Sequence, residues 1–401
     1  MNFQKISEDV FYVGVNDRTT HLFEGMWPLP YGVSYNSYIV KGDYLALIDT
    51  VHAAQGTKYL SMVEKAAHDR PISYLVINHM EPDHSGSIRT IVNRYPGIKI
   101  IGNSKTAAMI KAYYGIDDEY LKIVADGDTL DLGGGKELKF VLTPMVHWPE
   151  TMMTYYNSPN CGGVLFSGDA FGCFGALNGG IIDSHINTAT YYPEMYRYYA
   201  GIVAKYGQFV QKAMARFDGM KIDYICSTHG PVWHDEVGEV AGIYSRLSRF
   251  DAAPGVVVAY ASMYGNTEEL AEAIAAELSH CGVRDIKVHN LSTSHLSYVL
   301  ADIMRYKGLI IGGPTYCNGI YPEVDHLLTA LKTRELRNRY VGCFGSGTWA
   351  PVSSKNIRAR LEEIKGVEIT GEPFDMKCAA TDADIEHCRQ LATAIAAKVL
   401  E

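Results

Sequence analysis

No CxxC pair occurs in this chain: its eight cysteines stand singly at 161, 173, 226, 281, 317, 343, 378 and 388. That excludes a tetra-cysteine iron lobe, which needs two such pairs. The N-terminal stretch MNFQKISEDVFYVG carries Lys5, Glu8 and Asp9 and lacks an apolar core, so no secretion signal is expected, and scattered thiols then point to reduced cysteines. No run is long and apolar enough to suggest a membrane span. A basic stripe is also missing, and the net charge of -9 argues against a nucleic-acid surface. These absences together suggest a cytoplasmic protein without nucleic-acid or membrane partners.

What is present is enough apolar side chain for more than one core: 401 residues, 47% hydrophobic and 20% charged. Short β-like runs (VFYVGV, YNSYIV, YLALIDT) precede a helical pattern, TKYLSMVEKAAHD. The apolar run YLVIN then leads into HMEPDH, which places His79, Glu81, Asp83 and His84 within six residues. Pro82 prevents that stretch from continuing as regular strand or helix interior. Further on, VHWPET offers His147, GGVLFSGDAFG delivers Asp169 among glycines, and KIDYICSTHGP delivers His229. A single such histidine is ordinarily a hydrogen-bonded core residue. Four apolar runs that each end in a ligand-type side chain point instead to a metal site. Four imidazoles and three carboxylates exceed what one zinc needs, and this mixture suits a pair of iron or manganese ions with Asp169 able to bridge. Between these runs, NTATYYPEMYRYYAGIVAKYGQFVQKAMARF has the pattern of a helix rich in tyrosine. A proton-supplying tyrosine could come from it, but spacing does not select one.

At RFDAAPG, Pro254 and Gly255 break the pattern, which sets domain boundaries at 1–250 and 254–401. Beyond them strand and helix take turns, as in a doubly wound parallel sheet with ligands at the carboxyl ends of its strands. VVVAYASMYGNTEEL is a strand, a loop of small and hydroxyl residues, and a helix start. Ser262, Tyr264, Asn266 and Thr267 there offer donors for a phosphate. Neither GxGxxG nor GK[ST] is present, so a cofactor with one phosphate fits better than a dinucleotide or a triphosphate.

HMEPDH, VHWPET, FSGDAFG and STHGP, in that order, resemble the metallo-β-lactamase-like domain, whose hydrolases carry HxHxDH. Here Glu81 replaces the second histidine. That replacement, with a flavodoxin-like domain behind it, resembles the flavodiiron proteins over nearly the whole chain. The resemblance implies a metallo-β-lactamase-like αββα sandwich followed by a flavodoxin-like sheet. It implies one iron on His79, Glu81 and His147, a second on Asp83, His84 and His229, and Asp169 between them. In that family the imidazole corresponding to His84 is not metal-bound in every member. Asp49 matches a structural aspartate that orients ligands.

For the second domain the resemblance implies FMN, held by Ser262, Met263, Tyr264, Gly265, Asn266 and Thr267 in the phosphate loop. The ring would lie between Pro314, Thr315, Tyr316, Asn318 and Gly319 on one side and Ser346, Gly347, Thr348 and Trp349 on the other. The chain departs from many relatives, which have an aromatic residue at the place of Gly347 and glycine at the place of Pro351. The implied activity is reduction of dioxygen to water, of nitric oxide to nitrous oxide, or both. Electrons would come from an external donor such as rubredoxin or a reduced deazaflavin, and a head-to-tail homodimer or a tetramer would bring flavin and irons together. Two other readings stay open on the residues alone: a zinc-dependent hydrolase fused to a flavodoxin-like electron carrier, and a flavin module on an inert scaffold.

Overall fold

The computed structural model describes residues 3–401. The described chain divides into two compact units. One runs through Tyr198 and resumes over Tyr206–Ser248; the other comprises Arg249–Glu401 together with the insert Tyr199–Lys205.

The first unit is built on two sheets. The larger has seven strands whose spatial order follows the chain: β1 (Gln4–Lys5), β2 (Val10–Tyr12), β3 (Tyr38–Lys41), β4 (Leu45–Ile48), β5 (Ile72–Val76), β6 (Lys99–Gly102) and β7 (Leu121–Ile123). Strands β1 to β4 pair antiparallel and β4 to β7 pair parallel. Each parallel step needs a crossover. The crossovers carry α1 (Gly56–Ala67), then α2 (Pro82–Ser85) and α3 (Ile88–Arg94), then α4 (Ser104–Tyr114). Helix α1 shows why it forms: Tyr59, Met62, Val63 and Ala66 repeat at helical spacing and are all buried.

The smaller sheet holds β8 (Thr129–Gly133), β9 (Lys136–Leu142), β10 (Met152–Ser158), β11 (Gly162–Gly168) and β12 (Tyr224–Ser227), antiparallel except for the parallel pair β11 and β12. Tyr38 of β3 packs against Phe166 of β11 at 5.4 Å, and its hydroxyl donates to the Ser227 carbonyl at 2.6 Å. The two sheets thus face each other across one core.

The tyrosine-rich stretch departs from the single helix that its pattern suggests. Helix α5 (Tyr191–Tyr198) gives way to a π-helical turn (Tyr199–Val203) and a short 3₁₀ turn, and only then does α6 (Gly207–Ala215) begin. Gly207 abuts the Ser248 carbonyl so closely that a Cβ would lie 2.6 Å from it. That close approach to α7 (Val237–Ser248) fixes where α6 must start.

The second unit is a parallel sheet of β13 (Ala253–Tyr260), β14 (Ile286–Asn290), β15 (Tyr306–Pro314), β16 (Arg339–Gly347), β17 (Val367–Ile369) and β18 (Phe374–Lys377). The order is β14-β13-β15-β16-β17, and β18 also pairs with β16. This is the doubly wound order in which ligands bind at the carboxyl ends of the first and third strands. Helices α8 (Asn266–His280), α9 (Leu296–Arg305), α10 (Pro322–Thr333), α11 (Ser353–Glu362) and α12 (Asp382–Leu400) connect and cover it. Leu270 and Ile274 of α8 pack with Leu391 and Ile395 of α12 on Val256, Val258 and Ile310 of the sheet.

Two details differ from the sequence pattern. Helix α9 lies between IKVHNL and YKGLIIGGP, where no helix is evident from the run of strands, because β14 and β15 are parallel to β13 and cannot be joined by a turn. VEITGEPFDM forms two strands rather than one: Gly371 takes a left-handed backbone (φ 77°) and Pro373 cannot donate to a ladder.

Phe344 of β16 packs directly over Gly312 of β15, where a Cβ would come within 2.1 Å of the ring. Gly312→Ala is therefore expected to destabilise the second unit by about 1–3 kcal/mol, the usual cost of overpacking. Urea unfolding followed by fluorescence checks this, and an unchanged midpoint would contradict it.

Candidate functional site

All seven ligand-type residues of the first unit lie at strand ends or in the turns just beyond. His79 follows β5 by three residues, Asp169 follows β11 directly and His229 follows β12 by two. His147 stands in the turn between β9 and β10, five residues past Leu142 rather than at the strand end itself. HMEPDH is not an open loop either. Glu81 caps α2 and Pro82 occupies its first helical position, the one place where a helix tolerates proline. The helical turn sends Glu81 to one side and Asp83 and His84 to the other.

Two groups result. His79, Glu81, His147 and Asp169 form one, and Asp83, His84 and His229 the other; within each, the ligand atoms lie within 4.8 Å of one another, and every residue is buried. Asp169 connects them. Its Oδ2 lies 3.1 Å from His147 Nε2 and 3.4 Å from His79 Nε2, whereas its Oδ1 lies 2.8 Å from His84 Nε2 and 3.8 Å from His229 Nε2. Each carboxylate oxygen faces one group.

The polar atoms here face one another without well-aligned hydrogen bonds. Asp83 Oδ2 lies 3.3 Å from His84 Nε2 and 3.2 Å from His229 Nε2, yet neither Asp83 oxygen nor either of these buried nitrogens makes a hydrogen bond of good geometry. Unpaired buried polar groups are costly, and buried charges are ordinarily paired or coordinate metals. The donor set fits metal ions: imidazole and carboxylate, no thiolate.

Outer partners orient the rings. His79 Nδ1 donates to Glu150 Oε1 at 2.9 Å, and the Met80 amide donates to the same oxygen at 2.9 Å. His229 Nδ1 donates to the Ser34 carbonyl at 2.7 Å. In each case the other nitrogen, Nε2, turns toward the ligand group, which is the usual arrangement for a metal-binding histidine. His84 differs, because its Nδ1 has no partner. Asp49 touches no ligand atom; it accepts from the backbone (2.7 Å) and side chain (3.0 Å) of Asn78 and so holds the residue just before His79.

Sequence reasoning missed Glu150, Ser34 and Tyr198. Glu150 lies three residues beyond His147 inside VHWPET, the segment that also supplies a ligand. Tyr198 answers which tyrosine of the 187–217 segment approaches the ligands. It is fully buried, its ring packs on His229 at 5.5 Å, and its hydroxyl has no hydrogen-bond partner among the described residues.

The electrostatics follow from crowding. Burial alone would push the His79, His84 and His147 imidazoles down, but neighbouring carboxylates outweigh it: Asp169 first for His79, Asp83 first for His84, the Asp169 hydrogen bond first for His147. His79 is held well above its ordinary value, and His84 and His147 rise to about 9. Asp169 goes the other way: burial opposes its charge, and the His84 and His79 charges hold it well below the ordinary carboxylate range. Burial raises Asp49 to about 6. The carboxylates thus favour a positive charge on His79, His84 and His147, and a bound cation would compete with protons for those rings.

In the second unit a cleft of about 590 Å³ opens at the carboxyl ends of β13, β15 and β16. Every expected flavin contact lines it except Gly265 and Gly319, and Cys317, Ala350 and Cys378 line it in addition. Gly265 caps α8 with a left-handed backbone (φ 95°) and no side-chain cap, leaving first-turn amides for an anion. The two departures near the third loop compensate one another: a Cβ on Gly347 would lie 2.8 Å from Pro351 Cα, so Pro351 fills the space that an aromatic side chain would need.

Glu150 generates a direct prediction. Glu150→Ala leaves His79 Nδ1 without its acceptor, so metal affinity is expected to fall about 10–100-fold. Competition with a chelator measures it, and wild-type affinity would contradict the assignment.

Residues 33–230 match the ODP family beta lactamase family, and residues 258–391 match the flavodoxin family. The structure is similar to rubredoxin oxygen:oxidoreductase from Desulfovibrio gigas, with a TM-score of 0.92 and 28% identity, covering 99% of this chain and 98% of that one. It is similar as well to the flavodiiron protein of Giardia intestinalis, with a TM-score of 0.93 and 25% identity, covering 100% and 97%. Among curated relatives, the anaerobic nitric oxide reductase flavorubredoxin of Escherichia coli is 28% identical over 362 residues, 89% of this chain and 75% of the relative. With both units matched in order and the ligand groups in place, the chain belongs to the flavodiiron proteins.

Proposed function

We propose that this protein takes electrons from an external donor through FMN to a pair of irons and uses them to reduce dioxygen to water or nitric oxide to nitrous oxide. The observation that carries the reading is the division of Asp169, one oxygen to each ligand group. Such a carboxylate suits two metals at once. His79, Glu81 and His147 would hold one iron, Asp83, His84 and His229 the other. When bound, reduced FMN and two ferrous ions supply four electrons, which matches dioxygen to water and exceeds the two that a pair of nitric oxide molecules needs.

The chain itself supplies the surroundings. The three carboxylates offset cationic charge in a site closed off by buried side chains. Tyr198 keeps the proton on its hydroxyl, because burial and the Asp169, Asp83 and Glu81 charges push its pKa well above the ordinary value. That hydroxyl can donate to an oxygen atom of the substrate. In the second unit, Ser262, Tyr264, Asn266, Thr267 and the amides of α8 would hold the phosphate, with Tyr316 and Trp349 flanking the ring.

A zinc hydrolase fused to an electron carrier is not favoured. Glu81 stands where the hydrolase pattern has histidine, and the relatives named above are reductases or flavodiiron proteins. The proposal includes rubredoxin or a reduced deazaflavin as donor and a head-to-tail homodimer or tetramer. Exposed Leu22 and Met26, in the two-stranded ribbon of Leu22–Phe23 and Trp27–Pro28 whose Phe23 packs on His229, exposed Tyr31 just beyond it, and exposed Met263, Tyr264 and Trp349 at the flavin cleft support such pairing. A cytoplasmic location is part of the same reading; among the described residues no helix is long and apolar enough to cross a membrane.

Glu81→Ala and Asp169→Ala test the reading. Each is expected to lower dioxygen and nitric oxide consumption by more than about a hundredfold, beyond what loss of an outer-shell partner costs, with FMN still bound. Gas-electrode assays after anaerobic reduction measure this. Unchanged consumption would mean that the first unit is inert scaffolding.

A further inference from the structure

Of the eight cysteines, Cys173, Cys226, Cys343 and Cys388 are buried and Cys161 and Cys281 half-buried. In the single chain only Cys317 and Cys378 are exposed, and both line the cleft of the second unit. They come from different loops. Cys317 follows Tyr316 beyond β15, and Cys378 follows β18. Cys378 is fastened to the loop that carries Trp349: its amide donates to the Gly347 carbonyl at 3.0 Å, and its thiol lies 3.7 Å from the Thr348 carbonyl.

A group attached to either sulfur would project into, or across the mouth of, the space that a flavin needs. On Cys378 it would also break the thiol contact that steadies the Thr348 and Trp349 loop. Exposure decides which thiols react in a folded protein, because exchange needs in-line access of a thiolate to a disulfide sulfur. The two accessible thiols of this chain are thus concentrated at one cofactor cleft.

We propose that Cys317 and Cys378 form a modification site for low-molecular-weight disulfides, at which mixed-disulfide formation and flavin binding exclude each other. The Sγ thiolate attacks one sulfur of the disulfide, the S–S bond breaks, and the other half leaves as a thiolate that takes up a proton. The protein sulfur is oxidised and the departing half reduced, so the exchange balances without a further oxidant. A free thiol reverses it. Electron entry through this cleft thereby responds to the thiol–disulfide balance around the protein. The inference rests on the cleft being the FMN site.

The test uses the holoenzyme with glutathione disulfide as the probe. Adducts are located by peptide mass spectrometry and released flavin by its fluorescence. Adducts at Cys317 and Cys378 should form in step with FMN release, excess free FMN should slow both several-fold, and dithiothreitol should restore binding. The Cys317→Ser/Cys378→Ser variant should keep its flavin through the same treatment. Adducts at these positions with flavin fully retained, equal flavin loss from the double variant, or modification confined to Cys161 and Cys281 would each overturn the proposal. Failure of the underlying reading shows earlier and separately, as wild-type protein that holds no FMN before any disulfide is added.

Discussion

Asp169 is the residue on which the first unit turns. Its two oxygens divide between two ligand groups, and four imidazoles and two further carboxylates crowd around that division in a buried space. Ionised side chains taken out of water cost several kcal/mol each unless paired or coordinated. Asp83, His84 and His229 turn buried polar atoms toward one point without aligned hydrogen bonds among them, an arrangement that a coordinated cation would satisfy. Much of the local structure serves to hold these groups in register. Pro82 starts the turn that separates Glu81 from Asp83 and His84, Asp49 pins Asn78, and Glu150 and Ser34 aim the His79 and His229 rings.

Both units use the same physical device. Parallel strands end together, and the loops leaving their carboxyl ends can converge on a ligand while the core behind stays apolar. In the first unit those loops, joined by the turn between antiparallel β9 and β10 that carries His147, bring charged and imidazole side chains to a buried point. In the second they carry hydroxyls, amides and aromatic rings to an open cleft, with an uncapped helix start for an anion. Metal ions and a flavin monophosphate ask for these two kinds of surroundings.

The ligand residues were legible because each is a metal-ligand residue type placed shortly after an apolar run, and four such placements rarely coincide. The Glu81 position was informative for a chemical reason: an anionic oxygen donor in place of an imidazole shifts the site toward harder, redox-active ions. Glu150 was not legible as a partner of His79, since the two are far apart in sequence and meet only through the fold. Tyr198 was hidden for another reason. It stands among many tyrosines in one segment, and only the π-helical break after it and the packing on His229 single it out. Helix α9 is not evident in the run of strands around it, although the parallel pairing on either side demands a crossover. Cys317 and Cys378 passed as scattered thiols because exposure and a shared cleft are three-dimensional properties.

The central claim is that two metals sit on either side of Asp169. Anomalous scattering from crystals of the aerobically purified protein, collected at the iron edge, tests it most directly. Two iron peaks per chain, about 3.5–4 Å apart with Asp169 between them, are the predicted result. A single peak, or scattering at the zinc edge alone in protein that reduces dioxygen or nitric oxide, would contradict it.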